Sequence, residues 1–219
     1  MKKKELALLC VVALKKEYPD GICSLEYVDP LQLLIATRLS AQCTDARVNM
    51  VTPALFARFP NLDAFCDGEQ EEVAELIHSC GFYKIKSKDI IEMCRKIKAD
   101  FGGQVPDTMD ELLSLPGVGR KTANLILGDI FHKPAVVTDT HCIRIAGRLG
   151  LTKNTNPQKV ENDLRALLPP EESGDFCHRT VLHGRAVCTA RTAKCDICCM
   201  NGFCASAFQS PNKTTKKNA

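Results

Sequence analysis

Two glycines and two basic residues lie together in the segment 115–122, whose order is Leu-Pro-Gly-Val-Gly-Arg-Lys-Thr. Helical sequence precedes it over 107–114 and follows it over 121–131, so the pattern predicts a helix-hairpin-helix. Gly117 and Gly119 can adopt φ > 0 and leave backbone N–H groups uncovered at the start of the second helix, where a phosphate oxygen can bind. An ordinary turn between helices also uses glycine, but the basic pair that follows at once favours phosphate binding.

Lys121, the second residue of this basic pair, is a candidate nucleophile. The reacting form of a lysine is the free amine, which at an unperturbed pKa of about 10.4 makes up only about 0.04% of the side chain at pH 7. The positive end of the helix dipole disfavours the ammonium by typically ~0.3–1 kcal/mol, less than one pKa unit. Desolvation must therefore supply most of any larger shift. The alternative is a solvated basic residue in the first turn of a helix.

Asp139 begins a second segment of interest, Asp-Thr-His-Cys-Ile-Arg over 139–144. Capping the N-terminus of the helix that follows is sufficient to account for this aspartate. A second role, as a carboxylate that assists Lys121, requires the two side chains to meet in space. Such a contact would also favour the ammonium form of the lysine, because opposite charges stabilise each other.

Four cysteines near the C-terminus follow the spacing C-x6-C-x2-C-x5-C, at Cys188, Cys195, Cys198 and Cys204. Four thiols within 17 residues of a reduced protein predict a metal or cluster site, and the spacing leaves structural zinc and a [4Fe-4S] cluster both open. Cys199 adjoins Cys198 and is an alternative ligand. The loop between the first two cysteines carries two cations that it would present to phosphates, Arg191 and Lys194.

Composition limits the class of protein. The chain has 219 residues, 45% of them hydrophobic, and a formal net charge of +3, which suits a globular protein with a packed core. Acidic residues concentrate over 61–80 and basic residues over 84–98 and 176–219, which favours one basic face for a polyanion. Thirteen cysteines, mostly isolated, indicate free thiols in a reducing cytoplasm. The apolar stretch 6–14 is too short and wrongly flanked for a signal peptide, and no stretch is long enough to span a membrane.

Almost every periodic segment has helical spacing, so the sequence predicts an all-α protein. One predicted helix, over 44–59, carries a break at Pro53. The extended connection 133–137 divides the chain into two helical lobes. The tail 211–219 is polar and basic and is expected to be disordered.

These segments resemble the endonuclease III family of the helix-hairpin-helix DNA glycosylase superfamily, nearly end to end. The markers are Leu-Ser-Ala-Gln over 39–42, the hairpin with its lysine, Val-Thr-Asp-Thr-His over 137–141, His-Gly-Arg over 183–185 and the spacing of the four cysteines. The adenine glycosylases of the same superfamily lack a lysine at the position of Lys121. The combination is therefore specific to the endonuclease III type.

The resemblance implies an architecture and a set of site residues. It implies a six-helix domain over 26–134 and an iron-sulfur cluster domain formed by 1–25 and 135–210, which flank a DNA-binding cleft. It assigns the four cysteines to a [4Fe-4S] cluster, with Cys199 a bystander, and makes Lys121 the Schiff-base nucleophile and Asp139 the carboxylate that assists it. Gln42 matches the residue that fills the gap left by a flipped nucleotide, and Phe82 stands where the family commonly has a leucine wedge. The remaining expected DNA contacts are Gly117, Val118, Gly119, Arg120, Arg191 and Lys194.

The activity implied is that of a bifunctional, monomeric enzyme of base excision repair. It removes oxidised pyrimidines from duplex DNA as an N-glycosylase and then cleaves 3′ to the abasic site by β-elimination, as an AP lyase. The family is bacterial in type, which implies a nucleoid-associated protein of the cytoplasm. The alternatives are a non-catalytic iron-sulfur module that binds DNA or carries electrons, and a monofunctional glycosylase. Lys121 and Asp139 discriminate, because neither phosphate binding nor electron transfer requires both.

Overall fold

The computed structural model describes residues 1–207, and the predicted disordered tail 211–219 lies outside this range. Within it the secondary structure is helical, with one isolated β-bridge between Cys188 and Ala193, as the all-α prediction requires. The helices are α1 (Lys3–Glu17), α2 (Pro30–Leu39), α3 (Asp45–Arg58), α4 (Leu62–Asp67), α5 (Gln70–Leu76), α6 (Tyr83–Asp100), α7 (Met109–Ser114), α8 (Arg120–Asp129), α9 (Thr140–Leu149), α10 (Pro157–Leu167) and α11 (Ser173–Ala186). Short 3-10 turns cover His78–Cys80, Pro170–Glu172 and Cys195–Ile197.

The helices form two compact units. One unit is the internal stretch Cys23–Lys133, and the other joins Met1–Ile22 to the chain from Pro134 onward. Sequence analysis places these boundaries near residues 26 and 134. The four cysteines and Asp139 belong to the discontinuous unit, whereas the hairpin, Gln42 and Phe82 belong to the internal one.

The internal unit is built around α2. Asp29 caps this helix by accepting a hydrogen bond from the Gln32 amide at 2.9 Å, and Pro30 occupies its first turn, where a missing N–H costs nothing. Most of its side chains are buried, and it packs against α3, α6 and α8. Because α2 is apolar nearly all round, it forms the centre of this unit, and its C-terminal end carries the Leu-Ser-Ala-Gln segment.

The internal unit contains seven α-helices between residues 23 and 133, all of which the structure describes. The helix added to the six that the sequence predicts is α4, only six residues long, which packs on α6. Asn61 caps it by accepting a hydrogen bond from the Ala64 amide at 2.9 Å, and Phe65 stacks on Phe59 with ring centroids 5.0 Å apart. The burial of Phe65 stabilises a helix that is too short to show helical periodicity in the sequence.

The break predicted at Pro53 is wrong, because α3 continues through the proline. Val48, Val51 and Leu55 are buried on one side of the helix, both before and after the proline, while Pro53 itself is exposed. An interior proline costs about 3 kcal/mol. Burial of apolar side chains on both sides of it offsets that cost, and the exposed position leaves the ring clear of the core.

The discontinuous unit packs α1 against α10 and α11, and α9 against α11. The guanidinium of Arg179, which is only 3% exposed, donates to the Tyr18 carbonyl at 3.1 Å, to Glu172 at 3.1 Å and to Asp175 at 2.7 Å. Lys15 of α1 also pairs with Glu172. These bonds fasten the N-terminal helix to α11 and so hold together two stretches that lie far apart in the sequence.

No helix in the described range 1–207 is long and apolar enough to cross a membrane.

Candidate functional site

The hairpin between α7 and α8 differs in its two glycines. Gly117 adopts φ of +72°, which favours glycine, whereas Gly119 is extended at φ of −101° and serves as the N-cap of α8 without a capping side chain. Val118 between them is buried and anchors the turn through a bond from its amide to the Leu115 carbonyl at 3.2 Å. A Cβ placed on Gly119 would meet no heavy atom of the described chain within 4 Å. The space beside the N-cap of α8 is therefore open, which suits a phosphate that approaches the N-terminus of the helix.

A partly buried ion pair supports the first of these glycines. Arg38 of α2 binds Asp89 of α6 through Nε at 2.7 Å and Nη2 at 2.6 Å, and the two side chains are 14% and 19% exposed. A Cβ on Gly117 would lie 2.6 Å from Arg38 Nε and 2.8 Å from Asp89 Oδ2. Gly117 is thus required twice, by its backbone angle and by the close approach of this pair.

Lys121 lies in the first turn of α8 with its side chain exposed, and Arg120 before it is half-buried. The protein alone therefore leaves the Lys121 amine in water.

Gln42 and Phe82 share an unusual backbone. Both are exposed, Phe82 by 64%, and both adopt left-handed angles, with φ of +56° and +48°. Among residues 1–207 only one other non-glycine residue, His132, has positive φ. Such angles cost about 1–3 kcal/mol each and cluster at binding and catalytic sites. The two residues that the family resemblance assigns to the DNA gap are therefore held in strained, projecting positions.

Asp139 caps α9 as the sequence predicts, because its Oδ1 accepts a hydrogen bond from the Cys142 amide at 2.7 Å. The carboxylate is half-buried. Asp139 and Lys121 belong to different units.

The His-Gly-Arg segment over 183–185 packs on the helix that Asp139 begins. A Cβ on Gly184 would lie 2.5 Å from His141 Nδ1, so only glycine permits this approach of α11 to α9. Arg144 donates to the Gly184 carbonyl at 3.2 Å and contacts His141 Nδ1 at 3.1 Å. Burial lowers the pKa of His141, which favours the neutral ring. These contacts give His141 and Gly184 a structural role in holding the Asp139 helix.

The four predicted cysteine ligands come together. Their side chains line one small cavity, together with Arg148, Lys194, Asn201 and other residues of the C-terminal segment, whereas Cys199 is not part of its wall. Burial raises the pKa of the Cys198 and Cys204 thiols, and the neighbouring cysteine sulfurs raise it further. A positively charged group in the cavity would relieve that repulsion between thiolates.

The four thiols suit both sites that their spacing leaves open, a tetrahedral zinc and a [4Fe-4S] cluster. A tetrahedral zinc needs all four sulfurs about 2.3 Å from one point. In a [4Fe-4S] cluster each thiolate binds a different iron, so the sulfurs stay apart around a shared volume.

Arg148 of α9 holds the polypeptide around this cavity. It donates to Cys188 Sγ at 3.1 Å and to the carbonyls of Thr189 at 2.7 Å and Ala190 at 3.0 Å. The bridge between Cys188 and Ala193 closes the loop that follows. Arg191 and Lys194 are both exposed on this segment, and Lys194 also bonds the Ala186 carbonyl at 3.1 Å.

Sequence analysis missed the residues that support these sites: Arg38, Asp89, Arg148 and the buried Lys86. For Lys86 a signal was present, because it stands four, seven and eleven residues before Ile90, Met93 and Ile97 on the buried face of α6. A lysine at a core position of an amphipathic helix indicates an internal partner. The partners of Arg38, Asp89 and Arg148 lie far from them in the sequence, so only the tertiary structure shows these contacts.

Comparison with known proteins identifies the family. Residues 35–170 match the model of the HhH-GPD superfamily of base excision DNA repair proteins. Endonuclease III of Synechocystis sp. is 52% identical over 94% of both chains, and endonuclease III of Rickettsia conorii is 38% identical over 86% of this chain and 90% of its own. A trapped covalent intermediate of endonuclease III with DNA superposes with a TM-score of 0.89, at 37% identity, over 95% of this chain and 99% of that one. This chain therefore belongs to the endonuclease III family of the HhH-GPD superfamily.

Proposed function

We propose that this protein is a bifunctional enzyme of base excision repair, a DNA N-glycosylase that is also an AP lyase. The observation that carries the proposal is the exposed Lys121 amine in the first turn after the hairpin, in a chain that superposes on an endonuclease III trapped as a covalent intermediate with DNA. A hairpin that served only to bind phosphate would need the backbone amides but no amine at this point.

The reaction follows from the amine. Lys121 nitrogen attacks C1′ of the deoxyribose, and the bond to the damaged base breaks with the electron pair leaving on the base. Loss of a proton from nitrogen and opening of the sugar ring give a Schiff base. Removal of a C2′ proton then expels the 3′ phosphate by β-elimination, and hydrolysis of the imine releases the enzyme.

Asp139 is the carboxylate that we assign to proton transfer and charge stabilisation in these steps. Its Oδ1 is used in capping α9, so the second carboxylate oxygen is the one we assign to the reaction. The cap fixes the orientation of the carboxylate, which is how a structural bond serves a catalytic group.

The DNA contacts that we propose come from both units. Gln42 and Phe82 enter the space around the flipped nucleotide, while Gly117, Val118, Gly119 and Arg120 hold a phosphate at the start of α8. Arg191 and Lys194 contact phosphates from the other unit. The substrate is double-stranded DNA with a damaged pyrimidine or an abasic site, and the protein acts as a monomer. Its thirteen free cysteines suit the reducing cytoplasm of a bacterium, where the nucleoid lies.

We assign a [4Fe-4S] cluster to Cys188, Cys195, Cys198 and Cys204. When bound, such a cluster cross-links four points of a segment that otherwise has little regular structure. Arg148 bonds one of these sulfurs and the loop after it, so the ligands and the cations of the loop are held by the same side chain. Iron and sulfide analysis tests the assignment, and protein that contains zinc without iron contradicts it.

Borohydride trapping tests the central proposal. The wild-type protein should form a covalent adduct with duplex DNA that contains an abasic site, because reduction converts the imine into a stable amine. Lys121→Gln should form no adduct. Lys84→Gln is the matched control, since Lys84 is also an exposed lysine at the second position of a helix, α6. An adduct formed by Lys121→Gln at the wild-type rate would assign the nucleophile to another amine.

A further inference from the structure

Lys86 is the only lysine with its side chain buried among residues 1–207, and it is only 1% exposed. Its ammonium donates to the carbonyl of Leu39 at 2.7 Å and to the carbonyl of Cys80 at 2.9 Å. Removing an ammonium from water is costly, and lysine is almost never fully buried without partners. A shorter polar residue or an apolar one would fill a core position of α6 at a lower cost in desolvation free energy. The presence of a lysine here therefore indicates a role for its charge.

The two carbonyls that bind Lys86 stand at the ends of two helical segments. Leu39 is the last residue of α2, and Cys80 is the last residue of the 3-10 turn His78–Cys80. Carbonyls at helix C-termini have no partner within the helix, and the partial negative charge there favours a cation. Lys86 thus satisfies two helix ends with one charge.

Both helix ends lead directly into the residues proposed to enter DNA. Gln42 follows Leu39 by three positions, and Phe82 follows Cys80 by two. Both have left-handed backbones, so neither loop is held by local conformational preference alone. The shared ammonium is therefore a buried contact that fixes the start of one projecting loop relative to the start of the other, beside the contact between the Cys43 and Cys80 thiols.

We propose that Lys86 is a positioning residue that couples the Gln42 loop to the Phe82 loop, so that the two side chains enter the duplex together. The inference rests on the proposed function. Two independent loops would each lose conformational freedom when their side chains are inserted, whereas loops already tied to one ammonium are ordered before DNA binds. A pre-ordered pair unstacks the duplex at two points in a single event.

The first test compares two substrates. One has an abasic site opposite a base in a fully paired duplex, and the other has the same site in an unpaired bubble, where no base needs to be displaced. Lys86→Met leaves the two buried carbonyls without a donor, and we expect it to slow borohydride trapping about tenfold on the paired duplex and less than about twofold on the bubble. Lys96→Met is the control, because Lys96 is on the same helix, carries the same charge and pairs with the exposed Asp100.

The second test does not depend on the folding of Lys86→Met. Gln42→Ala and Phe82→Ala are measured singly and together on the paired duplex in the presence of Lys86. If the loops are coupled, the factor by which trapping slows in the double variant should be at least about threefold smaller than the product of the factors of the two single variants. If Lys86→Met folds, the two effects should multiply in that background, but the test in the presence of Lys86 stands without it.

Each outcome decides the question. Equal losses on duplex and bubble, or no loss on either, would make Lys86 a structural residue only. Multiplicative effects of the two loop variants in the presence of Lys86 would also overturn the inference. If the wild-type protein forms no adduct on either substrate, the proposed function fails and the inference with it. Trapping by the wild type together with multiplicative loop effects overturns the inference alone.

Discussion

Replacement of Gly117 by alanine tests whether the ion pair of Arg38 and Asp89, which lies against Gly117, stabilises the hairpin. The new methyl group would lie 2.6 Å from Arg38 Nε and 2.8 Å from Asp89 Oδ2, both shorter than a carbon can approach these atoms without displacing them. It would also impose φ of +72° on a residue with a Cβ. The substitution therefore acts through two separate mechanisms at one position.

The expected loss of stability is the sum of the cost of the backbone angle and the cost of displacing the ion pair. A left-handed backbone costs a residue other than glycine about 1–2 kcal/mol. Weakening a hydrogen bond between charged groups costs about 1.5–3 kcal/mol when the groups stay buried, and less here because Arg38 is flexible and the pair is partly exposed. We expect Gly117→Ala to lower the free energy of unfolding by about 3 kcal/mol.

Gly119→Ala is the matched control, two residues away in the same turn. Gly119 is extended and a Cβ there meets nothing in the described chain, so the expected loss is below about 1 kcal/mol, the difference between glycine and alanine at an N-cap. Urea unfolding followed by helical circular dichroism measures both variants. DNA affinity should show the opposite order of the two variants if a phosphate approaches the amides of α8. Gly119→Ala should then weaken DNA binding by more than its small effect on folding explains.

A double-mutant cycle separates the two mechanisms. In an Arg38→Ala background the conflict with Arg38 disappears and Asp89 loses the partner that holds its carboxylate beside the turn, so Gly117→Ala should cost mainly the backbone part, about 1–2 kcal/mol. If Gly117→Ala costs the same with and without Arg38, the ion pair does not constrain the turn. If the single variant Gly117→Ala is as stable as the wild type, neither the close contacts nor the backbone angle constrains this position.

Three further predictions concern the other unit. Asp139→Asn keeps a capping oxygen and should leave stability unchanged, whereas Asp139→Ala should lose about 1 kcal/mol, and turnover should fall about 100-fold in both; activity in Asp139→Asn like that of the wild type would reduce Asp139 to a cap. The slope of log K against log[salt] for DNA binding should flatten by about one unit in Arg191→Gln or Lys194→Gln if each contacts one phosphate, and an unchanged slope in both would remove this loop from the interface. Hydrogen bonds from basic side chains, first from Lys15 and then from Arg179, outweigh burial and lower the pKa of Glu172 below its usual 4.5, so its contribution to stability is full above that pH and is lost as the pH falls through the lowered pKa. Glu172→Gln should be less stable than the wild type at pH 7, the difference should vanish in acid, and a constant difference would contradict the assignment.

The parts of the fold and site that local sequence specifies could be predicted. Asp29 and Asp139 cap helices because an aspartate before a helical run satisfies free amides wherever the chain goes. The grouping of four cysteines followed from spacing, since one compact segment can bring together ligands that lie within 17 residues. The turn of the hairpin followed from its glycines, although only Gly117 uses the positive φ that glycine allows.

What could not be predicted depends on contacts between distant segments. Spacing alone did not decide between zinc and a [4Fe-4S] cluster, because both accept four thiolates. Pro53 sits within α3 because burial before and after it outweighs a strong local signal for a break. The partners Arg38 and Asp89 are 51 residues apart, and no periodicity in either segment announces the other.

The residues that support the hairpin and the two projecting loops share one helix. Lys86 and Asp89 are separated by three positions on α6, so they lie on one face of it about one turn apart. Lys86 binds the ends of the segments that carry Gln42 and Phe82, and Asp89 binds the arginine beneath Gly117. Buried or partly buried charges thus connect the exposed residues proposed to contact DNA in this unit to a single helix, α6. A surface built this way can tolerate change at exposed side chains such as those of Gln42 and Phe82, because these side chains do not hold the backbone, whereas substitution of either supporting charge should disturb several contacts at once.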